Sequence, residues 1–303
     1  MSGKTLLFGG SGFLGPVILN QYPHIVSVGR SSPPSYIKNE HIFFDSINDL
    51  SLLDNIKIDN VIFLIGNSNH HYLNNTCIEA INYNVLPLKK ALSYFSKRSL
   101  KKFVCFTSIL LYGKEGRNEL ISEKHKIFPY QNEYIFSKFL SEQVVKYYEN
   151  QVPSIILRCS NIYGPTKLVR PDVIPTLIQQ CLGPYEVSVW NKKPKRDFIF
   201  LEDAADIIVK LLNTDFSGIL NFGTGKTTSI GQICDILEHC SGKKIIDKSL
   251  KVEGPKIFQN DISLIKSLID WSPKYNIETG ITKTYHTMSE WASECNWWKE
   301  TIE

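Results

Sequence analysis

The stretch "LLFGGSGFLGP", residues 6–16, begins as an apolar run, breaks into glycines and opens onto the amphipathic segment Gly15–Gln21. That succession predicts a strand, a tight turn and a helix. Two glycine spacings overlap in it. Gly10, Gly12 and Gly15 satisfy G-x-G-x-x-G, whereas Gly9, Gly12 and Gly15 satisfy G-x-x-G-x-x-G. Either set lets the backbone approach a pyrophosphate whose charge sits at the helix N-terminus. The turn follows a strand within ten residues of the first Met, so dinucleotide binding fits it better than a plain turn does.

Outward from this unit the strand pattern repeats at His24–Val28, Ile42–Phe44, Val61–Ile65, Phe103–Phe106 and Ile155–Leu157. Helical stretches lie between, at Ile78–Ser96 and Glu133–Glu149. Alternating strands and helices predict an α/β fold, a Rossmann-type doubly wound parallel sheet whose ligands gather at the carboxyl ends of the strands. Beyond residue 164 the alternation weakens and Pro165, Pro171, Pro175 and Pro184 punctuate the chain. The expected organisation is a dinucleotide-binding domain over 1–163 and a smaller substrate-binding lobe over 164–303, with 196–225 returning to the main domain.

The 303 residues are 43% hydrophobic and 21% charged, with a net charge of +4, as in an ordinary globular protein. So small a charge makes no case for nucleic acid, and no apolar run approaches the roughly 20 residues of a membrane span. Seven cysteines without a C-x-x-C pair suggest reduced thiols and a cytoplasmic setting. His70-His71 near Cys77 lack further ligands at a usable spacing, so a surface loop is expected there and no metal. Trp291, Trp297 and Trp298 read as packing or an interface patch.

After the second strand, where an NAD-type unit places an acid, stands Arg30, followed by two serines. A guanidinium forms forked, charge-assisted bonds to phosphate, so NADP is expected ahead of NAD. Asp45 is a candidate adenine contact or a helix cap. Further on, Tyr134 and Lys138 lie four apart on one helical face, so phenol and ammonium can share a cleft. Drawing a phenol from its usual pKa of ~10 towards ~7 takes about 4 kcal/mol, for which Lys138 and an oxidised nicotinamide ring are sources. Ser108 closes a strand at the sheet's carboxyl edge, beside that tyrosine.

With these residues the chain resembles an extended short-chain dehydrogenase/reductase of the NAD-dependent epimerase/dehydratase family, which acts on nucleotide sugars. The likeness rests on "GGSGFLG", "INYNVLPLKKAL", "FTSILLYG", "YIFSK", "LRCSNIYGP", "RDFIFLEDAADI" and "NFGTGKTTSI". It implies Ser108, Tyr134 and Lys138 as the catalytic triad, and Gly9, Gly12 and Gly15 as the meaningful glycines, with Phe13 and Leu14 beside them on the cofactor. Asn84 corresponds to a family asparagine near the cofactor, and Asn161, Arg196 and Lys251 to contacts of the nucleotide sugar. The same resemblance implies a homodimer paired through the Tyr134 and Asn84 helices, for which Ile135, Phe139 and Val145 suit a buried face.

Departures narrow the chemistry. Where family dehydratases carry an acidic pair this chain has Ile109 and Leu110, which argues against 4,6-dehydration. The loop Leu64-Ile65-Gly66-Asn67 also lacks the family's usual small residues. Three readings remain: an NADPH-dependent reductase of a nucleotide-linked 4-keto sugar, which Arg30 favours; a nucleotide-sugar 4-epimerase with tightly held NAD(P); and a silent dinucleotide-binding sensor or scaffold.

Overall fold

The computed structural model describes residues 3–47, 50–73, 76–113, 120–168, 170–252 and 256–294. Its strands are β1 (Lys4–Phe8), β2 (Val26–Gly29), β3 (His41–Phe43), β4 (Ile58–Phe63), β5 (Lys102–Ser108) and β6 (Ser154–Cys159), followed by β7 (Asn161–Tyr163), β8 (Val187–Val189), β9 (Lys195–Phe200), β10 (Gly218–Phe222), β11 (Thr227–Ser229) and β12 (Ile245–Asp247). The helices are α1 (Gly15–Gln21), α2 (His70–Leu73), α3 (Cys77–Asn84), α4 (Leu86–Phe95) and α5 (Glu133–Tyr147), then α6 (Val173–Leu182), α7 (Leu201–Leu211), α8 (Ile230–Ser241), α9 (Ser263–Leu268) and α10 (Ile277–Glu294).

Seven strands form one parallel sheet in the order β10-β6-β5-β4-β1-β2-β3. The order turns back beside β1, and there the carboxyl ends of β1 and β4 open a crevice. Central strands are apolar on both faces: Leu7, Ile62, Val104 and Ile155 pack under α1 and α7, and Phe8, Val61, Phe103 and Ile156 under α4 and α5. A separate apolar cluster unites α6, α8 and α10 with β8 and β9. The chain leaves the main sheet after β6 and returns to its edge with β10, while β9 pairs with β7 and β11 in a three-stranded sheet.

The expected helix Ile78–Ser96 is two helices, α3 and α4, with Val85 between them. Pro87 has no N–H to continue the ladder, and its ring would meet the carbonyl of Tyr83, so the chain restarts with proline in the first turn. His70 and His71 lie on the helical turn α2, which corrects the expected loop. Ile135 and Val145 are packed in the protomer's own core and are unavailable to a partner. Exposed apolar residues on and around α3 and α5 include Tyr72, Ile78, Tyr83, Tyr130 and Tyr147. Trp291 packs against the α6–α8 cluster, and Lys167 Nζ lies 5.2 Å from its ring centroid. Trp297 and Trp298 lie outside the described residues. Among the described residues no helix is long and apolar enough to cross a membrane, and no group of three or more His, Cys, Asp or Glu side chains could hold a metal.

Candidate active site

The glycine turn joins β1 to α1. Gly9 has φ +90°, a conformation that L side chains rarely adopt, and its carbonyl accepts the Gly12 N–H at 3.1 Å. A Cβ on Gly15 would lie 2.5 Å from Gly9 O and 2.7 Å from Gly10 Cα, so α1 can start this close to the strand only with glycine there. Gly10 is more constrained than a merely small residue, because a Cβ would overlap Ser27 Oγ on β2. Gly12 is the exposed member, with Gly9 O at 3.3 Å as its nearest neighbour. No side chain caps the N-terminus of α1, and no acid stands in its first turn, as an anion-accepting turn requires. These features fit a dinucleotide pyrophosphate.

Gly9, Gly12, Phe13 and Leu14 line a cavity of about 1330 Å³, and so do Ser108, Tyr134, Lys138, Asn161, Arg196 and Lys251. A single drug-sized ligand fills roughly 300–1,000 Å³, so the cavity has room for two ligands end to end. Arg30 and Asp45 lie outside that lining, exposed just past the ends of β2 and β3. The helical turn nearest Asp45 starts at Ser51 with Leu50 as its cap, so Asp45 caps no helix.

Ser108 ends β5 and caps the 3-10 turn Ile109–Tyr112, accepting the Leu110 N–H at 3.2 Å. Helix α5 begins at Asn132, whose side chain accepts the Ile135 N–H at 2.8 Å and so fixes where Tyr134 falls in the first turn. Lys138 Nζ lies 5.5 Å from the Tyr134 ring centroid and donates to Asn84 Oδ1 at 3.1 Å. Asn84 makes three side-chain hydrogen bonds within the protein. Its Oδ1 also accepts the Asn67 N–H at 2.9 Å, and its Nδ2 donates to Ser137 Oγ at 3.0 Å. A Cβ on Gly66 would stand 2.9 Å from that Oδ1, so this glycine is what lets the loop after β4 reach Asn84.

Burial pushes the Tyr134 phenol well above its usual range, and the Ser108 side chain pulls it back. Burial also lowers Lys138, from 10.5 to about 8. The titratable groups acting on the phenol are Cys159 and Asp172, which raise it, and Arg170, which lowers it. The Lys138 ammonium stays near the Tyr134 ring while its hydrogen bond goes to Asn84.

Arg170 went unnoticed in the sequence because its segment reads as proline punctuation. It pairs with Asp172 (Nε–Oδ2 2.8 Å), and its guanidinium carbon lies 4.2 Å from the Phe13 ring centroid; both residues line the cavity. Trp190, 61% exposed, lines the cavity and carries no signal in the sequence either. Asn161 Nδ2 donates to Asp197 O at 3.0 Å, and Arg196 Nη1 to Lys195 O at 2.9 Å. Burial lowers Arg196 from its usual range. Asp197 itself is a structural acid, binding Thr224 and Gly225 N–H groups at 2.9 Å each.

The NAD dependent epimerase/dehydratase family matches residues 5–223. The chain is 28% identical over 302 residues to a putative UDP-glucose 4-epimerase of Methanocaldococcus jannaschii, covering 93% of this chain and 97% of that one. It is 23% identical over 299 residues to the CDP-abequose synthase of Salmonella muenchen, covering 92% and 96%. Among solved structures, UDP-glucuronic acid 4-epimerase from Bacillus cereus, in complex with UDP-glucuronic acid and NAD, superposes with a TM-score of 0.81 at 23% identity over 95% of this chain and 99% of that one. The UDP-glucose 4-epimerase of Thermotoga maritima, with UDP-glucose, gives 0.83 at 19% identity over 99% and 100%.

Proposed function

Since the chain belongs to the NAD dependent epimerase/dehydratase family, we propose that it interconverts the C4 epimers of a nucleoside-diphosphate sugar with a nicotinamide dinucleotide that stays bound through the cycle. The observation that carries this reading is the one cavity lined by the glycine turn, the Ser108–Tyr134–Lys138 group and Arg196 together. The similarity to a chain named as a 4-epimerase, spanning almost the whole of both, supports epimerisation over net reduction.

In this reading residues 1–163 bind the dinucleotide along Gly9, Gly12, Phe13, Leu14 and Gly15, and 164–303 supply most of the sugar side. The dinucleotide, when bound, supplies the hydride acceptor and donor. Tyr134 takes the proton of the C4 hydroxyl and later returns it, and Ser108 holds the same oxygen through its hydroxyl. Lys138, pinned by Asn84, adds its charge beside the ring. Arg196 and Lys251 meet the diphosphate and Trp190 stacks on the base. Next to the triad Ile109 and Leu110 offer no hydrogen bond from their side chains, so a keto sugar can present its other face there. Two copies pair through the α3–α5 side, where Ile78 is 76% exposed.

The test is incubation of the purified protein with UDP-, dTDP-, CDP- and GDP-sugars, without added cofactor, followed by NMR of the products. A C4 epimer formed without dinucleotide consumption is the expected result. Stoichiometric NADPH oxidation on 4-keto sugars, with no epimer, would establish the reductase reading for which Arg30 speaks. Binding of dinucleotide with no turnover of any sugar would leave a sensor.

A further inference from the structure

Below the strand ends lies a charged pair that the proton transfer does not use. Glu142 sits one turn beyond Lys138 and two beyond Tyr134 on α5, and Arg158 faces it from β6; each side chain is 4% exposed. The guanidinium forks onto the carboxylate, Nε to Oε1 at 2.9 Å and Nη2 to Oε2 at 2.7 Å. The same Oε1 accepts the hydroxyl of Thr107 at 2.9 Å, and Thr107 is the residue before Ser108 on β5. Arg158 Nη1 donates to Tyr112 Oη at 2.9 Å, and that hydroxyl donates to Asn221 Oδ1 on β10 at 2.7 Å. One carboxylate therefore ties the helix of Tyr134 and Lys138 to the strand of Ser108 and to the next strand.

A buried ion pair seldom stabilises a fold more than apolar side chains of the same volume would. What it adds is direction. Apolar surfaces tolerate sliding, whereas a bidentate fork has one geometry. The group that depends on direction here is the Ser108–Tyr134 pair, which lines one cavity and whose two residues come from the two elements being tied. We propose that Glu142 is a positioning residue that sets the register of α5 against β5, with Arg158 and Thr107 as its anchors, so that Tyr134 and Ser108 meet the same substrate oxygen. This rests on the reading of Tyr134 and Ser108 as the proton-transfer pair.

Two variants test it, with turnover expressed per site of bound dinucleotide so that loss of folded protein does not register. Glu142→Leu/Arg158→Met removes both charges together. It is expected to fold, to keep KM and dinucleotide affinity within about twofold, and to lose kcat by roughly 100-fold, the effect of about 1 Å of misplacement. Thr107→Val removes only the tie to β5 and is expected to lower kcat about 5- to 10-fold, again at unchanged KM. If the double variant does not fold, Thr107→Val decides alone. Wild-type kcat per site in whichever folded variant is tested overturns the proposal, because a purely stabilising pair would move the melting temperature and leave kcat unchanged. Tyr134→Phe is the control. An inactive Tyr134→Phe beside a fully active positioning variant sinks this inference only, and a fully active Tyr134→Phe sinks the site reading together with it.

Discussion

Alanine substitutions along the glycine turn should separate residues that build the turn from the one that admits the ligand. At Gly15 the new methyl meets backbone on two sides, Gly9 O at 2.5 Å and Gly10 Cα at 2.7 Å, and no rotamer relieves it. Overpacking of this kind costs about 1–3 kcal/mol, and the upper end applies because the obstacle is main chain. At roughly 2–4 °C per kcal/mol for a chain of this size class, Gly15→Ala should lower the melting temperature by about 6–12 °C. Gly10→Ala meets a side-chain oxygen, Ser27 Oγ, which itself holds His41 Nδ1 at 3.0 Å. Ser27→Ala alone removes that hydrogen bond and should cost about 1 kcal/mol. Added to Gly10→Ala, the same change removes the clash and should raise stability, a reversal of sign that a double-mutant cycle detects. Gly12→Ala meets only Gly9 O, at 3.3 Å, and its methyl occupies the cavity. It should leave the melting temperature of the ligand-free protein unchanged while weakening dinucleotide binding about tenfold or more, which is ~1.4 kcal/mol. Thermal unfolding by circular dichroism and fluorescence titration with dinucleotide give the two readouts. The reasoning fails if Gly12→Ala destabilises as much as Gly15→Ala, or if Ser27→Ala lowers the stability of Gly10→Ala as it does that of the wild type.

Tyr134→Phe should abolish turnover and leave dinucleotide affinity within about twofold, since only the proton carrier is removed; NMR of products and fluorescence titration check the two halves. Lys138 falls from 10.5 to about 8 on burial, with Cys105 and Cys159 the titratable groups acting on it. The unfolded chain therefore holds the extra proton between pH 8 and 10.5, so Lys138's contribution to stability rises with pH across that window. Urea denaturation of the wild type and Lys138→Met should show that rise in the first only, and parallel curves would refute it. Arg30 is exposed beyond β2. If it holds a 2′-phosphate, Arg30→Ala should weaken NADPH binding at least about tenfold more than NADH, and equal effects assign it no phosphate.

Periodicity and glycine spacing were enough to read the parallel sheet, the phosphate turn and the placing of Ser108 at a strand end. These are local properties, since side-chain direction repeats every two residues in a strand and about every 3.6 in a helix. Tyr134 and Lys138 were legible for the same reason. What each of them faces was not. The partner of Lys138 is 54 positions away at Asn84, and the hydroxyl bonded to Glu142 is 35 positions away at Thr107. Arg170 reaches Phe13 from the far side of the cleft. Such pairings depend on which strand lies beside which and on how deep the cleft closes. Burial, which raises Tyr134 and lowers Lys138, depends on them as well. The sequence by itself therefore determined the main parallel strands, the glycine turn and the identity of the candidate site residues. Only the tertiary structure decided that Lys138 is held by Asn84, that Gly10 is shut in by Ser27, and that a buried Glu142–Arg158 pair ties the catalytic helix to the sheet, because partners and solvent exclusion arise from packing between segments far apart in the chain.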